Sequence, residues 1–426
     1  MSVSINLASV SRMVTPGLRE EHRCMKTQTR RPAMTNADAL MQESPSTGDG
    51  DALPIEAVLD EVRRFGSHAL EPAVARHEHR LGPERLTALR TTSSEFGLLC
   101  PSADEASGLG LWEAVERNDG RRLSTAALRM LAQVNMGFAW QLHQFALSGH
   151  FERHVGFAST ALNLVALQGR YGLARHALAR YLTATAGPDD LIMLRDYFDT
   201  TTAPGVLLHA AEDWAGVWLP ELDSASVLQW GLWPRERLVV ETHRHSHGLD
   251  ELCSFVVCRR GEAQAAHRTQ LDIATSRRLL TTLLTLNAMG QLATGLGGLD
   301  HAHRLAADYA ATRRQGGGVI ARHAAVQLLL SRARQIQQLT SHSLEACCAC
   351  APDSAQTLAM LYQTRATLQP ELCRATSDAL QVFGGMGYMR DTGLEKILRD
   401  QNTLRVIHGT PIELQLAATA LEEDTP

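Results

Sequence analysis

The chain has 426 residues, enough to bury a substantial core and to divide into two or three domains. Hydrophobic residues make up 44% and charged residues 20%, which excludes a wholly disordered chain, and a formal charge of −5 supplies no basic field for nucleic acid or a membrane surface. No apolar run reaches the ~20 residues a bilayer span needs, and Met1 to Pro32 lack a long apolar stretch ending in a cleavage site. A cytoplasmic protein acting on small molecules or protein partners is therefore expected.

Residues 1–53 mix Ser, Thr, Arg and Gly without periodicity and read as a flexible tail. A helical domain over 54–182 is expected to begin at Pro54, with Ile55, Val58, Leu59, Val62 and Phe65 at helical spacing. Further helices are predicted over Glu84 to Leu99, Leu123 to Leu147, Leu162 to Leu167 and Arg170 to Leu182, with His143, His150 and His154 at or near their surfaces. Over 183–263 the pattern changes to short apolar runs separated by Gly, Pro and Asp. Leu191-Ile-Met-Leu, Val206-Leu-Leu-His, Val217-Trp-Leu, Leu238-Val-Val-Glu and Cys253-Ser-Phe-Val-Val-Cys are read as strands of a small β domain. His243, His245 and His247 alternate along this stretch and are read as a solvated edge rather than a metal site.

From 264 to 426 the chain is helical again. Leu279, Leu280, Leu283, Leu284, Leu286, Met289, Leu292 and Leu296 form an apolar face too broad for a surface helix, so a helix packed within a bundle is predicted. Two more long helices are expected over Ala321 to Ala346 and Ala355 to Phe383, the second interrupted near Pro370. The eight cysteines follow no small-domain disulfide framework; Cys347, Cys348 and Cys350 are read as helix residues, and no metal site is expected.

Three linked motifs stand in the C-terminal third. Gln381-Val-Phe-Gly384-Gly385-Met-Gly387-Tyr388 ends an apolar helix in glycines that admit positive φ and close backbone approach. Glu395-Lys-Ile-Leu-Arg399-Asp400 follows, and then His408-Gly409-Thr410. Upstream lies Tyr309-Ala-Ala-Thr-Arg313-Arg-Gln315-Gly-Gly317-Gly-Val-Ile320, followed by Gln327. In this order and spacing the set resembles the acyl-CoA dehydrogenase family, flavoproteins that desaturate acyl thioesters.

The resemblance implies a mainly α fold with an N-terminal helical domain, a small central β domain and a C-terminal four-helix bundle. It also implies FAD bound across a subunit boundary, hence a homodimer or homotetramer. Carried over residue by residue, it assigns cofactor contacts to Arg313, Gln315, Gln381, Gly384 and Gly385, with Thr410 near the flavin. A guanidinium on phosphate and open glycine backbone suit that role. The central domain departs from the family: no Thr-Glu-Pro, Gly-Ser-Asp or Trp-Ile-Thr segment occurs. Thr200, Thr201, Thr202, Trp230 and Trp233 are the polar and aromatic residues at hand there, each read as a structural filler.

The second departure is His408, which the resemblance places where many members carry the catalytic Glu before Gly-Thr; the family's alternative carboxylate position holds Asn287. A neutral imidazole is competent as a proton acceptor near pH 7. Its conjugate acid is cationic and favours an enolate beside it. Three readings follow: dehydrogenation of an acyl thioester, carried by CoA or by an acyl carrier protein, with His408 as base; oxygenation by reduced flavin on the same fold; or a non-redox enzyme or binding module that has lost FAD. The electron acceptor stays open.

Overall fold

A computed structural model describes residues 54–74, 80–99, 109–169, 174–201, 205–244, 246–261 and 263–423. The N-terminal tail, the segment from Cys100 to Gly108, Thr202 and His245 lie outside them.

The chain opens with α1 (Ile55–Phe65), which runs through a π turn at Gly66–Leu70 into the short α2 (Glu71–Ala73). α3 (Pro83–Glu95) starts on a proline at its first position, where the missing N–H has no helical partner to lose. α4 (Asn118–Val134) and α5 (Met136–His154) meet at Asn135, whose side chain accepts from Phe138 N and restarts the helix, so the single helix expected over Leu123 to Leu147 is two. α5 is buried almost throughout, which puts His143 and His150 in the core and not at the surface as expected.

Two sequence expectations change in the next stretch. Leu162 to Leu167 is not a helix: it carries β1 (Asn163–Val165), paired in parallel with a later strand. A six-residue apolar run is too short for periodicity to separate strand from helix. Leu191-Ile-Met-Leu is not a strand: it lies in α7 (Pro188–Phe198), after α6 (Arg175–Leu182). Pro188 sits in the first turn and the Asp190 carboxylate accepts from Gly187 N, a start signal that overrides the β-branched residue within.

The remaining strands are β2 (Val206–Ala210), β3 (Gly216–Leu222), β4 (Leu228–Pro234), β5 (Leu238–His243), β6 (Cys253–Arg259) and β7 (His267–Arg268). They form two sheets, one ordered β1-β3-β4-β7 and the other β2-β6-β5. Trp218, Trp230 and Trp233 are buried in the first, and Trp218 gives its indole N–H to the Glu152 carboxyl, whose pKa burial raises.

α8 (Ile273–Thr312) is the axis of the bundle, forty residues long and apolar on most of its faces through its first two-thirds. Its glycines allow close approach: a Cβ at Gly297 would lie 2.2 Å from the Arg129 carbonyl of α4, and one at Gly290 would meet the His143 ring of α5. A small hairpin, β8 (Arg314–Gln315) and β9 (Gly318–Val319), leads to α9 (Ala324–Cys348) and α10 (Ala355–Val382). α10 continues through Pro370 without the expected interruption. α11 (Leu394–Leu404) and α12 (Pro411–Glu423) close the fold.

The β5–β6 connection is fastened to α11 by a buried ionic cluster. Lys396 Nζ lies 3.1 Å from Glu251 and 2.6 Å from Asp400; Asp400 accepts from Leu249 N at 2.6 Å, and Asn135 donates to Glu251 at 2.8 Å. Arg399 reaches Asp250 at 2.7 Å and Glu395 at 2.7 Å, so the Glu-Lys-x-x-Arg-Asp motif serves as a clamp between sheet and bundle.

Candidate functional site

His408 sits in the turn between α11 and α12 with φ of 58°, and Gly409 follows at 115°. A non-glycine residue in the left-handed region carries strain of about 1 kcal/mol or more and persists only where its surroundings fix it. Here two buried polar residues, one from each of two bundle helices, do so. Gln291 of α8 donates to the carbonyls of Leu404 at 3.3 Å and Ile407 at 2.8 Å. Arg365 of α10, 1% exposed, donates to Ile407 O at 2.9 Å and to Gly409 O at 3.4 Å. Both brace the peptide units flanking His408.

The imidazole so mounted borders a cavity of about 320 Å³. Its walls are Leu167, Gln168 and Gly169 after β1, Leu178 and Leu182 of α6, Tyr197 of α7, Leu207 and His209 of β2, Leu284 of α8, and Leu358 and Tyr362 of α10. Trp140 packs edge-on against His408 at 5.8 Å, and the Nδ1 atom of His408 is buried without a hydrogen-bond partner. Burial holds the His408 pKa well below its ordinary value, helped by the positive charges that His209, Arg365 and His143 would contribute. Burial brings His209 down to about 4. Both rings are neutral at pH 7 and able to accept a proton.

Behind them lies a structural relay. The Trp112 indole donates to His143 Nδ1 at 2.9 Å, which puts the ring proton on Nε2, 3.4 Å from Asn287 Oδ1. Gln144 donates to the same Asn287 oxygen at 3.2 Å. Burial lowers His143 to about 3. Asn287, buried and hydrogen-bonded to Gln144, is thus engaged in the core.

Thr410 does not present free donors. Its N–H and hydroxyl both reach Glu413 Oε2 at 2.8 Å, and its Oγ accepts from Glu413 N at 3.3 Å, a reciprocal cap on α12. The other five sequence-predicted residues do not border the His408 cavity. They form an exposed strip where α8 and α10 end: Tyr309 stacks on Phe383 at 4.1 Å, which brings the Arg313–Gln315 hairpin beside the Gln381–Gly385 turn. Gln381 donates to Tyr388 Oη at 2.8 Å. Nothing lies within 4 Å of a Cβ built at Gly384 or Gly385, and Gly384 has φ of 59°. An open glycine backbone beside a guanidinium and two carboxamides is the donor set for a diphosphate and a purine edge. The strip therefore fits the nucleotide end of a dinucleotide.

Gln291, Arg365 and His209 were not singled out from sequence. The first two were visible as polar residues on apolar helix faces. His209 was visible as the polar member of a strand, alternating with Val206, Leu208 and Ala210, which are buried. Trp230, Trp233 and Thr200 are buried, and Thr201 bonds Asp199 locally, as fillers should. Cys347 and Cys348 are buried in α9, where burial pushes their thiols up, and Cys350 bonds the Ala346 carbonyl. Among the described residues no helix is long and apolar enough to cross a membrane.

Residues 277–420 match the family model described as acyl-CoA dehydrogenase, C-terminal domain. The chain is 25% identical over 192 residues to 3-sulfinopropanoyl-CoA desulfinase of Cupriavidus necator, covering 45% of this chain and 46% of that protein. It is 30% identical over 116 residues to the mitochondrial very long-chain specific acyl-CoA dehydrogenase of Bos taurus, covering 26% and 17%. The matches thus span less than half the length of these curated relatives. In fold, the structure of PigA with FAD and proline superposes with a TM-score of 0.65 at 13% identity over 89% of this chain and 100% of that one. The prolyl acyl carrier protein oxidase AnaB gives 0.63 at 13% identity over 87% and 99%.

Proposed function

Because the chain belongs to the acyl-CoA dehydrogenase family, as its C-terminal match and its fold show, we propose that it is an FAD-dependent oxidoreductase acting on an acyl thioester, with His408 as the base. The observation that carries this reading is the braced left-handed turn: a strained residue held by Arg365 and Gln291 against the cavity, with an unpartnered ring nitrogen. Such strain at a cavity wall is a mark of function rather than of folding.

Arg313, Gln315, Gln381, Gly384 and Gly385 would hold the nucleotide half of FAD, whose ring supplies a hydride acceptor when bound. The residues of the cavity bind and orient the acyl chain on Leu178, Leu207, Leu284 and Leu358 and exclude water from it. His408 takes the α-proton on a bare ring nitrogen. Exposed Met386, Tyr388 and Met389 beside the strip support a second copy packing there, as a homodimer or homotetramer. A thioester on a carrier protein is favoured by the likeness to AnaB, a prolyl acyl carrier protein oxidase.

The test is spectral. Purified protein should carry or take up FAD and turn yellow, Arg313→Ala with Gln381→Ala should weaken FAD binding by ~10-fold or more, and an acyl thioester should bleach the flavin without oxygen. A colourless protein that FAD cannot reconstitute rejects the reading. A second, non-redox reading of the same cavity rests on Thr410, whose two donors both serve Glu413; its signature is acyl-thioester binding with no flavin.

A further inference from the structure

The His408 cavity holds a second imidazole. On β2 the residues Val206, Leu208 and Ala210 point into the core, so Leu207 and His209 share the other face, which borders the cavity. His209 and His408 also both line the smaller cavity adjoining it, so two rings from different elements, a strand and a helix-to-helix turn, meet across one space. Neither ring is used up internally. The Nδ1 of His408 has no partner, and among the described residues no hydrogen bond engages the His209 ring. Of the charged groups nearby, Arg365 holds the Ile407 and Gly409 carbonyls, Glu413 accepts from Thr410, and the Arg175 guanidinium of α6 stands in the cavity wall.

A neutral imidazole offers one N–H donor and one bare nitrogen. Two of them facing one cavity present a donor and a base together, the complement of a carbonyl group with an acidic C–H beside it. We propose that His209 is a catalytic residue that donates its ring N–H to the carbonyl oxygen of a bound acyl thioester while His408 removes the α-proton. This rests on the acyl-thioester reading above and gives that site its oxyanion donor. In the step, the α-C–H bond breaks, the proton passes to the bare nitrogen of His408, and the electron pair moves onto the carbonyl oxygen, held by His209. Return of a proton from His408 restores the thioester, so the half-reaction needs no oxidant. Burial keeps both rings neutral near pH 7, so that each has one N–H and one bare nitrogen, and the imidazolium formed on His408 is stabilised by the enolate beside it.

The experiment is α-proton exchange in deuterium oxide, using the purified full chain with butyryl-CoA and with the butyryl thioester of N-acetylcysteamine, read by mass spectrometry. Wild type should incorporate α-deuterium. His209→Ala and the similarly bulky His209→Phe should slow it ~100-fold with little change in melting temperature, while His209→Gln, which keeps an N–H donor, should recover at least ~10-fold. Wild type that exchanges neither thioester, or His209→Phe within ~3-fold of wild type, overturns the proposal. Anaerobic flavin bleaching in the same samples separates the two readings. Exchange without bleaching sustains the His209 role and removes the oxidation, whereas bleaching without exchange removes the His209 role and leaves the oxidation standing.

Discussion

Lys396→Met isolates the clamp between sheet and bundle. The Lys396 side chain is 14% exposed, while its partners Glu251 and Asp400 are 1% and 2% exposed, so methionine of similar length leaves two buried carboxylates without their cation. Breaking a buried pair from one side costs ~3–5 kcal/mol, more than a surface bridge could explain. With an unfolding entropy of ~2.1 cal/mol/K per residue over about 370 residues, that is a fall in melting temperature of roughly 4–6 °C. The pH dependence fixes the cause. Burial raises the Asp400 pKa and Lys396 opposes the rise, so removing Lys396 lifts it further. A carboxyl with a folded pKa above its unfolded one contributes stability below the unfolded value and loses it as pH rises. The deficit of the variant should therefore shrink between pH 7 and pH 5, and Lys396→Met with Asp400→Asn, which keeps an acceptor for Leu249 N, should recover about half of it. Melting followed by circular dichroism at pH 5, 6, 7 and 8 checks this. A deficit below ~1 kcal/mol, or one that grows on acidification, refutes the reasoning.

Gly290→Ala should destabilise by ~2–3 kcal/mol, since its Cβ would lie 2.2–2.6 Å from the His143 ring, displacing it from Trp112; an unchanged melting temperature and tryptophan emission would contradict the packing. Burial lowers His143 and His150 to about 3, so each contributes stability that is present above pH 6.5 and lost on acidification. Each should add ~1.4 kcal/mol per pH unit to the decline between pH 6 and pH 4, and His150→Leu should reduce by that amount the slope with pH of the unfolding free energy measured by denaturant titration. Arg365→Met should move the His408 ring titration toward its ordinary range, because the guanidinium opposes the imidazolium; a ring carbon resonance in labelled protein, assigned with His408→Asn, should shift in that direction, and no movement would show the charge is not felt. The same variant should lower stability by about 1–3 kcal/mol, since the carbonyls of Ile407 and Gly409 lose a charged donor that braces the turn.

Much of this architecture was legible because its signals are periodic. The leucines from Leu279 to Leu296 announced a bundle helix, and the ordered motifs from Arg313 to Thr410 announced the family. What escaped is what periodicity cannot carry. The strand at Asn163–Val165 and the helix at Pro188–Phe198 exchange the assignments that short apolar runs suggested, and only pairing with β3 and the Asp190 cap decide between them. His143 and His150 looked like surface residues because an all-round buried helix has no polar face against which to recognise them. His408 was identified by its place before Gly-Thr, but its left-handed backbone and its braces, Gln291 and Arg365, come from residues more than forty and more than a hundred positions away. His209 was visible as the polar member of its strand, but its place opposite His408 was not, because a strand shows that a side chain changes face, not what stands opposite.

The helical pair α6–α7 enters the chain between β1 and β2 and supplies one side of the cavity through Leu178, Leu182 and Tyr197, while the hydrogen bonds that brace the His408 turn come from α8 and α10. Part of the cavity's shape is thereby set by a segment other than the two helices that brace the His408 turn. Substitutions at Leu178, Leu182 and Tyr197 can therefore reshape what the enclosure admits while leaving the Gln291 and Arg365 braces in place, which makes these three positions the natural ones to vary for a different guest.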